Sequence, residues 1–360
     1  MLLNYITWNA DPEIFSIFGR LAIRWYGLFF ALSFYLGYVI MAQFFKREKV
    51  PMDFLEKLLI YVAVGTIIGA RLGHCLFYEP SYYLRNPFEI IKIWQGGLAS
   101  HGAAIGIVIA LYFFYRKTKK TMLWTLDRVV IVVALAGFFI RMGNLMNSEI
   151  YGIPTYDKNG FVYARSFSSY YDDDEYVKNI KFTSLTDEKA VKGRFAPIQA
   201  EIEFNRKLRD EAKISNFMQK DVRFRLSKDT SDLEINVALL PGQEFTYDLN
   251  REGPVYKATF NLWGVPKYPT QIYEAGAYLF IFLLLLALYY KNNGKLYSGF
   301  LFGLFLTLVF SARFVIEIVK ENQVPFEENL SLNMGQLLSI PFVIIGLFFI
   351  AYSFKTKKAL

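Results

Sequence analysis

Apolar residues gather into seven long runs, each closed by charge, proline or glycine. The runs cover approximately Leu21–Phe45, Leu58–Tyr78, Leu98–Tyr115, Asp127–Met146, Gln271–Tyr290, Ser298–Val319 and Leu337–Phe354. Each approaches the ~20 residues that a transmembrane helix needs. Residues 1–20, with Trp8, Phe15 and Phe18, read as an interfacial segment. Pro80 and Pro87 break the chain into an aromatic loop, and Phe88–Trp94 suits a short amphipathic helix. Between the fourth and fifth runs lies a polar block, 153–266, too polar to span a membrane. Alternation at Val222-Arg223-Phe224-Arg225-Leu226 and at Tyr256–Leu262 predicts strands there, and Glu201–Gln219 reads as helix. The expected architecture is an all-α polytopic membrane bundle of about seven transmembrane helices, carrying an inserted α+β domain. Its blocks are a membrane core over 1–152, the insertion over 153–266, and a second membrane core with a tail over 267–360.

Composition supports this reading: 54% of the 360 residues are hydrophobic and 18% aromatic. The single cysteine, Cys75, excludes an intrachain disulfide framework. A formal charge of +8 could suggest nucleic acid, but its placement excludes that partner. Lys46, Arg47, Lys49 and Lys57, then Arg116, Lys117, Lys119 and Lys120, then Lys291 and Lys295, then Lys355, Lys357 and Lys358 follow alternate runs. The other short ends carry only Arg20, Arg85, Lys92 and Lys320. By the positive-inside rule the first set is cytoplasmic. The N-terminus and the insertion then lie outside and the C-terminus inside. The insertion itself is near neutral, with 17 Lys and Arg against 18 Asp and Glu. The first run has no small-residue cleavage site after it, so a cleavable leader is not expected.

Costly side chains interrupt these runs at a shared level. Arg71, His101, Arg141, Arg313 and Glu274 lie roughly 21 to 25 Å from the basic ends of their runs at 1.5 Å per residue. Hydrocarbon tolerates such groups only where they face protein, water or a ligand. Three arginines at one depth repel one another unless an anion joins them. A guanidinium fork matches phosphate oxygens, and the phosphates at that depth belong to lipid headgroups. This predicts a lipid-phosphate pocket with Arg141 as its anchor.

Local spacing adds partners. Arg141, Asn144 and Ser148 share a helical face at spacings of three and four, with Glu149 able to orient an arginine or accept a proton. A purely structural polar network is the competing reading. Arg313 and Glu317 are spaced i, i+4, as an internal ion pair or the edge of a pocket. His101 sits among small residues from Gly96 to Gly106, where backbone or ligand can approach closely. Tyr26 is either an interfacial aromatic or a pocket residue. Gln271 and Glu274 lie one turn apart at the start of the fifth run. His74 and Cys75, adjacent, cannot build a metal site and read as packing.

The stretch Arg141-Met142-Gly143-Asn144-Leu145-Met146-Asn147-Ser148-Glu149-Ile150-Tyr151-Gly152 closely resembles the signature of bacterial prolipoprotein diacylglyceryl transferases. Ile23–Gly27, Gly69–Gly73, Gly97–Gly106, Pro269–Glu274 and Arg313 with Glu317 follow in the family's order. The resemblance covers roughly 1–152 and 266–355. It departs at Ile140, Ala103, Tyr268 and Val309, and the insertion is longer than usual for the family. It implies a seven-span enzyme of the bacterial plasma (inner) membrane that needs no cofactor or metal. Its partners would be phosphatidylglycerol, other membrane lipid and the lipobox segment of a prolipoprotein. It would transfer diacylglyceryl to the lipobox cysteine and release glycerol-1-phosphate. The resemblance assigns phosphatidylglycerol binding to Arg141, Asn144, Arg71, Gly152 and Gln271. Catalytic roles fall to His101, Arg313, Glu149, Glu317 and Tyr26, with His101 the first choice of base and Glu149 or Glu317 the alternatives. A lipid or anion transporter using the same arginines is the rival reading. An intramembrane protease is disfavoured, because Gly-x-Ser-x-Gly and paired membrane aspartates are absent.

Overall fold

The computed structural model describes residues 5–17, 21–93, 96–97, 99–155, 160–172, 174–185, 195–227, 236–240, 242–321 and 331–356. Phe18, Arg20, Trp94, Leu98, Lys357 and Lys358, used in the sequence reading, lie outside them. In chain order the elements begin with β1 (Ile6–Trp8), β2 (Glu13–Ile17), β3 (Leu21–Arg24), α1 (Trp25–Arg47), α2 (Met52–Phe77), α3 (Pro80–Arg85), α4 (Ser100–Thr118) and α5 (Met122–Met146). The insertion holds β4 (Phe161–Tyr163), α6 (Arg165–Ser168), β5 (Val177–Ser184), β6 (Ala196–Phe204), α7 (Glu211–Phe217), α8 (Arg223–Leu226), β7 (Val237–Ala238), β8 (Asp248–Glu252) and β9 (Val255–Gly264). It is followed by α9 (Thr270–Lys291), α10 (Phe300–Ile316) and α11 (Met334–Thr356).

Six of these helices, α1, α2, α5, α9, α10 with its 3-10 extension to Val319, and α11, are long and apolar enough to cross a membrane. The expected third span also forms a helix, α4, but is not among the six. His101 at its start and Arg116 and Lys117 at its end dilute its apolar middle. Large apolar side chains such as Ile67, Val108, Phe280, Ile344 and Phe348 remain exposed on these helices, as expected where lipid is the solvent. The chain divides into two compact units: 1–30, 139–276 and 312–337 form one, and 31–138, 277–311 and 338–360 the other.

In the second unit α2 and α4 meet through glycines. Gly65, Gly69 and Gly73 repeat every fourth residue on α2 and face Gly102 and Gly106 of α4. A Cβ at Gly73 would lie 2.6 Å from the Gly102 Cα, so only glycine permits this approach. The basic ends of the same unit are tied by Glu48, which accepts from Arg128 Nη2 at 2.9 Å, Trp124 Nε1 at 2.9 Å and the Tyr289 hydroxyl at 2.6 Å. The Asp127 carboxylate accepts from Gly299 N at 2.7 Å and Phe302 N at 2.8 Å, capping the start of α10.

In the first unit the insertion folds around a sheet ordered β5-β6-β9-β7, with β8 also paired to β9. On β9 the side chains of Tyr256, Ala258, Phe260 and Leu262 alternate into the core, as the sequence predicts. The predicted strand at 222–226 is instead the end of a helix that runs from Glu211 through a π-helical turn, Met218–Val222, into α8. The alternating pattern served a helix: Val222 and Leu226, four apart, are buried, while Phe224 is 75% exposed. The predicted helix over 201–219 begins only at Glu211, because Glu201–Phe204 belongs to β6. The first apolar run also starts late. Leu21–Arg24 pairs antiparallel with β2 before α1 begins at Trp25. The first strand, β1, pairs parallel with β4, and Trp8 donates from Nε1 to the Leu145 carbonyl at 2.9 Å.

Candidate active site

The first unit brings most of the predicted polar residues together. Arg141, in the last turns of α5, places Nε 2.6 Å from Glu274 Oε2 and donates from Nη1 to Asn144 Oδ1 at 3.1 Å. Glu274 is fully buried and stands 3.5 Å from the Lys320 ammonium. Lys320 donates to Glu317 Oε1 at 3.0 Å, and Glu317 draws Arg313 Nε to 3.4 Å. The result is a continuous chain of alternating charge: Arg141, Glu274, Lys320, Glu317, Arg313. It carries three cations on two carboxylates. Its ends differ in access, since Arg141 is 13% exposed and Arg313 33%. Among the described residues the buried Arg313 Nε makes no hydrogen bond, so its contact with Glu317 is an ion pair alone.

A second network fixes the signature stretch. Glu149 Oε1 accepts from Asn144 Nδ2 at 2.8 Å and Asn147 Nδ2 at 3.2 Å, so two side-chain amides hold its carboxylate. Gln271 donates to the Glu149 carbonyl at 2.7 Å and accepts from the Tyr163 hydroxyl at 2.9 Å. Thr270 donates to the Ile150 carbonyl at 2.9 Å. Ser148 and Ile150 both take left-handed backbone, φ 53° and 58°. For a β-branched residue such as Ile150 this is a strained conformation, held by its surroundings. Gly152 is packed where a side chain would strike Tyr268, 2.7 Å from its Cβ. Gly143 makes room for the Tyr26 ring, which a Cβ there would approach to 2.7 Å. Tyr26 and Asn147 line a cleft of about 510 Å³ together with Ala22, Ile23, Arg24, Gly27 and Leu28. Within the signature stretch, the buried Asn147 Oδ1 and Ser148 Oγ have no hydrogen-bond partner among the described residues.

A sequence profile described as Prolipoprotein diacylglyceryl transferase matches residues 12–352. Three relatives named phosphatidylglycerol–prolipoprotein diacylglyceryl transferase align nearly end to end. The one from Tolumonas auensis is 36% identical over 351 residues, 97% of this chain and 98% of its own. That from Chloroherpeton thalassium is 36% identical over 356 residues, 99% and 97% of the two chains. That from Porphyromonas gingivalis is 37% identical over 358 residues, 98% and 95%. The chain belongs to the prolipoprotein diacylglyceryl transferase family. It is a membrane transferase, and these long alignments extend across its insertion.

Within this family member the structure gathers Tyr26, Arg141, Asn144, Glu149, Gly152, Gln271, Arg313 and Glu317 in the first compact unit. Ser148 does not share the helical face of Arg141, because α5 ends at Met146. Arg71 and His101 belong to the second unit. Arg71, expected to bind phosphate, is buried with its guanidinium on the carbonyls of Glu89 (2.6 Å), Ile90 (2.8 Å), Gly96 (2.6 Å) and Gly97 (3.3 Å). It also stacks on Tyr83, 5.1 Å from the ring centre. His101 is exposed, with its ring edge-on to Phe77 at 5.1 Å and tilted against Tyr78 at 5.8 Å.

Sequence reasoning missed two lysines. In sequence Lys320 reads as a charge at a short end, although its i+3 spacing from Glu317 signals the pair. Lys267 has 0% side-chain exposure, donates to Glu321 at 3.1 Å and lies 4.4 Å from the Tyr151 ring centre. Tyr151 stacks on Tyr163 at 4.8 Å and accepts from Asn236 Nδ2 at 3.0 Å. These contacts tie the signature stretch to the insertion. Burial pushes the Tyr163 hydroxyl well above the usual tyrosine range, so it is a neutral donor to Gln271.

Proposed function

We propose that this chain transfers the diacylglyceryl group of phosphatidylglycerol to the lipobox cysteine of a prolipoprotein in the bacterial inner membrane. The observation that carries this reading is the buried charge chain ending in two arginines. Its excess cation suits a single bound phosphate, and the fork geometry of Arg141 and Arg313 suits phosphate oxygens. A base takes the proton of the cysteine thiol, whose free pKa is ~8.5. The thiolate then forms a C–S bond to the glyceryl carbon as that carbon's bond to phosphate oxygen breaks. The electron pair leaves with glycerol-1-phosphate. Charge builds on that phosphate in the transition state, and guanidinium groups already in place lower the barrier.

Arg141, held by Glu274 and Asn144, anchors the lipid phosphate, and the more exposed Arg313 stabilises the departing one. Asn147 Oδ1 and Ser148 Oγ offer hydrogen bonds to glycerol hydroxyls, and Tyr26 borders the cleft beside them. His101 is the first candidate for the base on the family resemblance. Glu149, held by neutral amides, is the alternative that the geometry supports. Arg71 fixes the loop that carries Gly96 and Gly97, and Gln271 and Gly152 hold the signature turn. The names of the full-length relatives support both substrates.

The deciding assay supplies purified protein with phosphatidylglycerol and a lipobox peptide. Thioether-linked diacylglyceryl peptide and glycerol phosphate are expected in equal amounts. Lipid binding with neither product would favour transport instead. Arg141→Ala is expected to cut turnover by about 100-fold or more while the protein stays monodisperse. Activity within a few-fold of wild type would remove Arg141 from its role.

A further inference from the structure

The insertion carries a groove of about 540 Å³ on the helix formed by α7, the π-helical turn and α8. It is lined by Leu208, Tyr176, Phe217, Lys213, Lys220 and Asp221, among others. Tyr176 and Phe217 meet edge to face at 5.8 Å. The turn Met218–Val222 winds five residues where an α-helix winds fewer, a rare geometry often found at functional sites. Both Lys213 and Lys220 are exposed, as are Arg206, Lys207 and Arg223 on the same segment. Among the described residues none of these five cations has a carboxylate partner.

The neighbouring acids, by contrast, are engaged. Asp174 accepts from the backbone of Tyr176 and Val177. Asp210 caps α7, and Glu211 takes the Tyr256 hydroxyl at 3.0 Å. Asp221, the one acid in the groove, is shared between Arg225 Nε and the Tyr171 hydroxyl, each at 2.9 Å. Positive charge is therefore unspent here in a domain that is nearly neutral as a whole, and it surrounds a concave aromatic surface. Concavity suits a chain segment better than a flat bilayer.

We propose that this groove binds an acidic stretch of the substrate polypeptide, on the extracytoplasmic side of its modified cysteine. The inference rests on the transferase reading for the identity of the polypeptide. Carboxylates of the peptide pair with Lys213 and Lys220, and an apolar side chain enters between Tyr176 and Phe217. The site acts on affinity and leaves the chemical step alone.

The test uses full-length protein in nanodiscs and two fluorescent lipobox peptides. One continues into an Asp/Glu-rich segment, and the other has Asn/Gln at the same positions. Cysteine is replaced by serine for binding, so that anisotropy reports affinity without turnover. Wild type is expected to bind the acidic peptide more tightly, with the preference fading at high salt. Lys213→Glu with Lys220→Glu is expected to weaken acidic-peptide binding about tenfold and leave the neutral peptide unchanged. With cysteine peptides the same variant should raise KM for the acidic one and keep kcat. Equal binding of the two peptides by wild type overturns the proposal. So does a double variant that binds both as wild type does. Protection of 206–223 from hydrogen exchange by phosphatidylglycerol nanodiscs, without any acidic-peptide preference, would reassign the face to the membrane. Charge-dependent peptide binding with no thioether product from any peptide would instead refute the transferase reading and leave the groove standing.

Discussion

Glu274 holds two cations from inside the protein, and its removal should be felt at both. Glu274→Gln leaves Arg141 without its nearest counterion and gives Lys320 to Glu317 alone. Breaking a buried pair in this way costs about 3 kcal/mol, so the thermal midpoint should fall and turnover with it. Phosphatidylglycerol should restore part of the midpoint, because the lipid phosphate replaces the lost carboxylate beside Arg141; no lipid-dependent rescue would argue against a phosphate there. Lys267 allows a second contrast. Lys267→Met removes a buried cation from Glu321 and the Tyr151 ring, whereas Lys267→Arg keeps charge and stacking. The first is expected to destabilise by about 2 to 3 kcal/mol and the second by less than half of that, read as shifts of the midpoint. Much of this site was legible beforehand because its contacts are local: Arg141 reaches Asn144 at i+3 and Arg313 reaches Glu317 at i+4. What stayed hidden depends on long-range approach. Nothing near Glu274 in sequence announces Lys320, and the left-handed backbone of Ile150 contradicts its own propensity. For Arg71, depth along a helix does not say where its donors go, and here they meet loop carbonyls.

At the scale of elements, α2 and α4 are joined by backbone rather than by side chains. Gly69 and Gly102 leave no room for a Cβ, so Gly69→Leu should push the helices apart and abolish accumulation of folded protein. Gly276 on α9 is the control, since a Cβ there meets nothing within 4 Å. Gly276→Ala should be neutral or stabilising by about 0.5 to 1 kcal/mol in a thermal-shift assay. Equal loss in both variants would mean that general helix propensity, not close approach, is at stake. Long apolar runs announced the helices well, because span length is fixed by bilayer thickness. The insertion was harder to read. A five-residue alternation such as Val222–Leu226 satisfies a strand or, at i and i+4, a helix, and only burial of Val222 and Leu226 with Phe224 outside decides. Ala196–Phe204 is a strand because its neighbours β5 and β9 supply the ladder on both sides, information that no local window contains.

For the molecule as a whole, the parity of membrane crossings constrains topology independently of charge. Ile6–Trp8 pairs directly with Phe161–Tyr163, so the N-terminal strand and the insertion must share one side of the membrane. Between them lie four long helices, α1, α2, α4 and α5. Hydropathy marks only α1, α2 and α5 as spans, and three crossings would leave β1 and β4 on opposite sides. An even count is restored if α4 crosses as well. After the insertion, Ile153 N donates to the Val319 carbonyl at 3.0 Å, so the end of α10 must share that side too, as it would if α9 and α10 both cross. Parity bears only on which segments share a side; on the positive-inside rule, the lysines and arginines after α1, α4 and α9 would make the side opposite the insertion cytoplasmic. Single-cysteine labelling tests both parts, with buried Cys75 as a silent background. An impermeant maleimide on spheroplasts should label Asn179→Cys, exposed on β5, without delay. Lys117→Cys, at the far end of α4 from His101, should react only after the membrane is opened. Labelling of Lys117→Cys from outside would mean that α4 does not cross, and the β1–β4 pairing could then survive only if one of α1, α2 and α5 also failed to cross.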